Sequence, residues 1–377
     1  MTSLDALLLT FCLIATGLHV ISAGLAMWRC RAPRDTLPPP GGAPAVTILR
    51  PVCGIDNFDE ATLRSGFELD YPDYDLVFCC EDEGDPAAAL VRDLMTRHPG
   101  VRARLLTGRD AISANPKLNN LVKGWPHVRG DWLIFADSNV LMPPDYIQRL
   151  LSGWRPDTGV LCAPPIGSLP AGFWSELECA FLNTYQARWQ YAADTAGFGF
   201  AQGKTMLWRR KDLAAAGGIG ALACEIAEDA AATKVVRGLG LSASLVDAPF
   251  AQPLGARSAR QVWDRQARWS RLRRVTFPAI FAPEVLTGGL LPIAAGTLAA
   301  DAVGVPAPAA FAALATVWIG SEALLARVAG WHLSPLSPLA WVARDALLPA
   351  LWLQAWLFGG FNWRGNEIRA EAKMQPT

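Results

Sequence analysis

Three acidic segments in this 377-residue chain have positions that suggest chemistry. Glu81-Asp82-Glu83 directly follows the apolar run Leu76-Val77-Phe78-Cys79-Cys80, and Asp137-Ser138-Asn139 directly follows Trp132-Leu133-Ile134-Phe135-Ala136. Open α/β sheets bind ligands at the carboxyl ends of their strands, so two acids placed there in one sheet point to a crevice. The third, Asp229 in Ile226-Ala227-Glu228-Asp229, opens an apolar helical stretch running to Val236; a carboxylate there is also an ordinary partner of a helix dipole. The segment 257–274 holds seven Arg and one Asp, with Val262, Trp263, Trp269 and Leu272 on one half of a helical wheel. Such an amphipathic helix suits an anionic lipid surface, or a phosphate-bearing ligand met by Arg265 and Arg268, and composition leaves both open. Gly197-Phe198-Gly199-Phe200-Ala201-Gln202-Gly203 mimics a dinucleotide fingerprint without its strand–turn–helix setting. It reads as a tight loop that brings backbone close to a ligand.

The elements that must hold these residues alternate. Segments 45–50, 76–80, 104–106 and 132–136 read as buried strands, and 58–69, 86–98 and 115–124 have helical length and periodicity. Alternation of this kind predicts an α/β sheet with crossover helices. Lys plus Arg equal Asp plus Glu at 34 each, which gives no global attraction for nucleic acid. Only 18% of residues are charged while 51% are hydrophobic, and 15 are Trp, a balance that fits a chain partly in lipid. The eight Cys form no CxxC pair and no Cys/His cluster, which argues against a zinc or disulfide scaffold and for a reduced, cytoplasm-facing domain.

Residues 6–28 carry no charge and are long enough to cross a bilayer, and Arg29, Arg31 and Arg34 follow at once. Positive-inside logic then places the next domain in the cytoplasm. Near the C-terminus, 302–321 and 346–363 read as spans, while 285–300, broken by Gly288, Gly289 and Pro292, is a candidate re-entrant or interfacial stretch. Glu322, Arg327, Arg344 and Asp345 flank or interrupt these runs, so they are expected either to anchor at headgroup level or to meet a polar lipid head. The expected organisation is an anchor (1–30), a Pro/Gly-rich linker (31–44), a catalytic domain (45–256), an interface helix (257–276), a membrane region (277–363) and a tail (364–377).

Together these pieces resemble the membrane-bound glycosyltransferases with a GT-A catalytic domain. Asp82, Asp137, Asp229 and Arg265-Gln266-Ala267-Arg268-Trp269 are similar to that group's D, D, D, (Q/R)xxRW signature. Tyr71-Pro72, Glu81-Asp82-Glu83-Gly84-Asp85-Pro86, Asn115-Pro116-Lys117-Leu118-Asn119-Asn120, Gly217-Gly218-Ile219 and Asn362-Trp363-Arg364-Gly365 resemble ceramide glucosyltransferases in particular. The resemblance implies a Rossmann-like, nucleotide-diphospho-sugar transferase (GT-A) domain between N- and C-terminal transmembrane helices. It implies inverting transfer of a hexose, most simply from UDP-glucose, to a hydroxyl of a membrane lipid such as ceramide. By position, Asp82 would hold uracil or ribose, Asp137 would ligate a divalent cation (Mg²⁺ or Mn²⁺) on the diphosphate, and Asp229 would be the general base. Arg265, Arg268 and Trp269 would bind diphosphate and frame the acceptor, with Lys117 a nucleotide contact and Gln186 and Glu228 further acceptor-site candidates.

Two positions depart from the pattern. Asn139 stands where many relatives carry the second Asp of a DxD pair, and Gln186 stands where ceramide glucosyltransferases carry a His, which bears on sugar or acceptor identity. The expected setting is a bacterial inner membrane, since Arg far outnumbers Lys and Ala is abundant. Rival readings are the same chemistry on a hopanoid with UDP-N-acetylglucosamine, a processive polysaccharide synthase, and a non-catalytic nucleotide-sugar-binding membrane protein.

Overall fold

The computed structural model describes residues 1–31, 37–363 and 366–369. Part of the linker (32–36), Arg364 and Gly365 of the Asn-Trp-Arg-Gly motif, and residues 370–377 of the tail lie outside the described residues.

Nine strands build the catalytic domain: β1 (Val46–Pro51), β2 (Tyr74–Cys80), β3 (Arg102–Thr107), β4 (Trp132–Ala136), β5 (Thr158–Ala163), β6 (Ile166–Ala171), β7 (Thr205–Arg209), β8 (Ser242–Leu245) and β9 (Ala251–Ala256). Seven of them form one sheet in the order β3-β2-β1-β4-β7-β5-β8. β1 to β4 are mutually parallel, and β7 runs antiparallel between β4 and β5. Strand side chains alternate between two cores, as the pleat requires. Leu49, Val77, Cys79 and Phe135 pack on one face, while Ile48, Leu76, Phe78 and Ile134 pack on the other. Both faces are covered, which is why these strands read as unbroken apolar runs rather than as alternating ones. β6 and β9 pair in a separate two-stranded sheet.

The chain order reverses between β1 and β4, the kind of switch point at which α/β sheets open a crevice. Arg50, fully buried near the end of β1, fastens the loop after β4. Its Nη2 donates to the carbonyls of Asp137 (3.2 Å), Ser138 (3.0 Å) and Val140 (3.2 Å).

Among the described residues, two helices are long and apolar enough to cross a membrane, Ser3–Arg29 and Ala307–Ala329. The broken run near residue 290 is a bent pair, Pro278–Leu286 and Leu290–Val303, meeting at 48°. The stretch expected over 346–363 begins earlier and ends sooner, as the helix Ser337–Leu357 followed by the antiparallel hairpin Gly360–Trp363 and Asn366–Arg369. Pro338 in its first turn costs nothing there, so the helix starts well ahead of the charge-free run and takes in Arg344 and Asp345.

Those charges neither reach headgroups nor face a lipid. Arg344 donates to Glu322 (2.8 and 2.9 Å) and to Asp345 (2.8 Å), and Asp345 accepts from the amide of Gly289 (2.7 Å). Thr184 and Arg188 bring the helical segment after β6 into the same cluster, and Arg188 reaches Ser22 of the first helix. A charge inside an apolar bundle is tolerable when paired, and this cluster is assembled from five separate stretches of chain.

Candidate active site

Asn115 sets the geometry. It caps the helix Pro116–Gly124, accepting from the amides of Lys117 (2.9 Å) and Leu118 (3.2 Å), with Pro116 at the position where a missing N–H is harmless. Its other side-chain atom donates to Glu228 (2.7 Å). Lys117, on the first turn, then points its ammonium at Asp137 Oδ1 (2.7 Å), Glu228 Oε1 (2.6 Å) and the carbonyl of Gly203. A second ammonium, Lys204, takes the other oxygen of Asp137 (2.8 Å) and the side-chain oxygen of Asn139 (3.2 Å). Burial alone would raise the Asp137 pKa, but Lys117 and Lys204 overcome it and hold the carboxyl well below the usual range.

Asp229 lies in the first turn of the helix Glu228–Gly238. Its carboxylate accepts from the amides of Gly203 (3.1 Å) and Ala230 (2.8 Å). Burial first, and the adjacent Glu228 second, push its pKa up to about 6, against the pull of Lys117 and the two amides. A carboxylate tuned in this way is ionised at neutral pH yet takes a proton more readily than an ordinary one, which is the profile of a general base.

Gly203 shows why the glycine loop is needed. A Cβ there would lie 2.7 Å from Glu228 Oε1 and 3.2 Å from Lys117 Nζ, so a side chain at this position would have to push Glu228 out of its pairing with the lysine. The close approach of backbone expected from the loop is present, and it is made to the site's own side chains.

Asp82 sits past the end of β2, exposed, with its carboxylate accepting from the amide of Gly84 (2.9 Å). Its neighbour Asp85 is a helix cap, bonded to Ala87 N (2.8 Å) and, through both oxygens, to Gly54 N (2.9 Å each) in the loop after β1. β1 lies between β2 and β4, which separates Asp82 from Asp137 by two strand spacings, roughly 10 Å.

The Arg-rich segment forms the helix Ala259–Thr276, closed at its start by a Ser258/Gln261 capping box. Arg265 engages Glu178, which also approaches Arg257 (3.7 Å), and Arg257 reaches Asp56 after β1 (2.7 Å). Gln186 donates to Gln266 (2.8 Å), Trp269 packs on Cys179, Leu182 and Leu254, and Arg268 is half-buried one turn beyond Arg265. The structure thus joins Lys117, Asp137 and Glu228 directly, brings Asp229 to them through Gly203, and links the RxxRW segment to Gln186 and to the β1 edge. Sequence reasoning missed Lys204 and Glu178. Lys204 follows the glycine loop at once in a chain with only six Lys, which was a usable signal; Glu178 had none.

The chain matches the profile of glycosyl transferase family 21 over residues 8–375. It is 24% identical over 368 residues to ceramide glucosyltransferase 3 of Caenorhabditis elegans, covering 94% of this chain and 78% of that one. It is 33% identical over 203 residues to the ceramide glucosyltransferase of Komagataella phaffii, covering 48% of this chain and only 40% of the yeast protein. Among solved structures, a mannosyltransferase from Pyrobaculum calidifontis in complex with GDP-Man and Mn²⁺ superposes with a TM-score of 0.53 at 19% identity, covering 93% of this chain and 99% of that one. That likeness supports the GT-A fold, the profile match takes in all the elements that carry the site, and the chain belongs to glycosyl transferase family 21.

Proposed function

We propose that this protein is an inverting hexosyltransferase that moves glucose from UDP-glucose to a hydroxyl of a membrane lipid of the ceramide class. The observation that carries the reading is Asp229: a part-buried carboxylate with a raised pKa, held by two amides beside the Asp137 cluster. In the step proposed, Asp229 accepts the proton of the lipid hydroxyl as its oxygen bonds to the anomeric carbon from the face opposite the nucleotide. The bond from that carbon to the diphosphate oxygen breaks and UDP leaves with the electron pair. Glu228 and Gln186 are proposed to line the acceptor side.

Asp82 would hold the uracil or ribose, and Asp137 the diphosphate region; a separation of two strands supports that division. Lys117 and the Arg265, Arg268, Trp269 set would add positive charge and an aromatic wall, Arg265 exchanging Glu178 for phosphate. The donors for a divalent cation are of the right kind, since Asp137 and Asn139 offer hard oxygens that converge on one point, now held by Lys204. When bound there, such a cation neutralises charge on the leaving diphosphate.

The names of the relatives support the lipid acceptor, and Arg29 and Arg31 after the first helix support a cytoplasmic catalytic domain on a bacterial inner membrane. Purified protein offered ceramide, a hopanoid polyol and a panel of UDP-sugars tests this, with products read by mass spectrometry. Glucosylceramide is expected. A glycosylated hopanoid would move the assignment to another acceptor, and absence of any turnover would leave a nucleotide-sugar-binding protein.

A further inference from the structure

We propose that Lys204 is a resident cation of the Asp137-Ser138-Asn139 turn: its ammonium fills the point on which the two side-chain oxygens converge, and a divalent ion enters only by displacing it. The inference rests on the proposed reading of Asp137 as the residue that holds such an ion. The geometry that carries it is the bridge itself, 2.8 Å to Asp137 Oδ2 and 3.2 Å to Asn139 Oδ1. Asp137 Oδ1 is already taken by Lys117 at 2.7 Å. A metal ion that binds Asp137 must therefore dislodge one of two ammoniums.

Lys117 is the harder to move. It is held by Asp137, Glu228 and the Gly203 carbonyl together, on a helix whose first turn is capped by Asn115. Lys204 has two partners, and both are residues the ion would take. Its backbone is fixed, because its carbonyl accepts from Asp137 N (3.0 Å) just before β7, while its ammonium sits on a four-carbon stem with several rotatable bonds. Once displaced, the ammonium needs a new anion, and the diphosphate of a bound nucleotide is the anion this crevice would supply. Cation and nucleotide then bind as a coupled pair, each making room for the other. In the nucleotide-free protein the site is already neutralised and a divalent ion binds weakly, since a single positive charge a few ångströms away repels it.

Mn²⁺ titration of full-length, detergent-solubilised protein, followed by the electron paramagnetic resonance of the free ion, tests this without a sugar donor or turnover. Without nucleotide, Lys204→Met is expected to bind Mn²⁺ at least about tenfold more tightly than wild type, because the competing charge is gone. Lys204→Gln should shift in the same direction, and its thermal unfolding serves as a check that the fold survives. UDP should tighten Mn²⁺ binding in wild type and do so much less in Lys204→Met. Adding Asp137→Asn to Lys204→Met should erase the gain. Equal affinity of wild type and both Lys204 variants without nucleotide overturns the proposal, and so does a gain that survives Asp137→Asn. Failure of the protein to bind UDP at all would count against the functional reading instead, and the nucleotide-free comparison would still stand.

Discussion

At the carboxyl edge of the sheet, Lys117 and Lys204 face three carboxylates, Asp137, Glu228 and Asp229. Between the membrane helices, Arg188 and Arg344 sit with two, Glu322 and Asp345. Both clusters are drawn out of water, but only one is closed. The side chains of Lys117, Lys204 and Asp137 keep 13%, 15% and 20% of their exposure, while Arg344, Glu322 and Asp345 keep 1%, 3% and 9%. The edge cluster also carries a surplus negative charge, and the membrane cluster balances. A buried ion pair is weak support for stability and costly to break. The balanced, sealed set therefore acts as a fastener, while the unbalanced, half-open set is ready to exchange partners with a ligand.

That contrast can be broken most sharply at Arg344. Arg344→Met removes the direct partner of both carboxylates and leaves Glu322 and Asp345 with Arg188 as the one remaining positive charge of the set, so thermal unfolding in detergent should report a loss of about 3–5 kcal/mol. A change below about 1 kcal/mol would mean that water reaches the cluster and that it is no fastener. Next in size is Asp229→Asn, expected to reduce sugar transfer by at least about 10²-fold while UDP affinity and the unfolding temperature stay near wild type. Parallel loss of UDP binding would move Asp229 to the donor side, and surviving turnover would shift the base to Glu228.

A subtler test uses pH. Asp229 must be ionised to accept a proton, so turnover is present above about pH 6 and lost as the pH falls through that value. Among the charges facing it, Glu228 raises its pKa and Lys117 lowers it. Glu228→Gln removes the first and frees the second from a partner, which should move the acid limb of kcat/KM to lower pH. An unmoved limb would assign it to another group. The smallest effect is predicted at Arg260, whose side chain is 91% exposed in its pairing with Asp264. Arg260→Ala should change stability by less than about 0.5 kcal/mol, a baseline for both clusters.

The parts legible in sequence were those fixed by neighbours along the chain. β4 falls on 132–136 as expected, and the helix Pro86–Arg97 has its Asp85 cap and Pro86 start written locally. The positions of Asp82 and Asp137 followed from strand ends, and Asp229 from a helix start. β5 to β9 were not read; β6 and β9 mix Gly, Pro and polar residues and are strands only by pairing with each other, whereas β5 and β7 are short apolar runs that helix and strand periodicity do not separate. The charges of the membrane region were misplaced for a related reason. A window of sequence shows Arg344 and Asp345 interrupting an apolar run, but the partner that lets them stay inside, Glu322, comes from another helix. Lys204 had a local signal in its place after the glycine loop, but that signal does not say that its stem reaches back to Asp137 and Asn139.

The helical stretch Phe173–Thr195, π-wound over Phe181–Ala187, packs on the first helix, the Arg-rich helix and both C-terminal helices as well as on β6, β8 and β9. Glu176 takes His332, Ser334 and Ser337 from the connection between the last two membrane-region helices, and Glu178 takes Arg265. Thr184 and Arg188 enter the buried cluster, and Asp194 holds Arg29 at the end of the first helix (2.9 Å). It is a camshaft running through both halves of the molecule, so the boundary near residue 256 that composition suggests is no place to cut. A preparation cut near residue 256 and lacking the first helix would strip Glu176, Glu178, Arg188 and Asp194 of their side-chain partners in the removed segments. Anyone wishing to crystallise or engineer the catalytic half must carry the membrane half with it, or rewrite that rod.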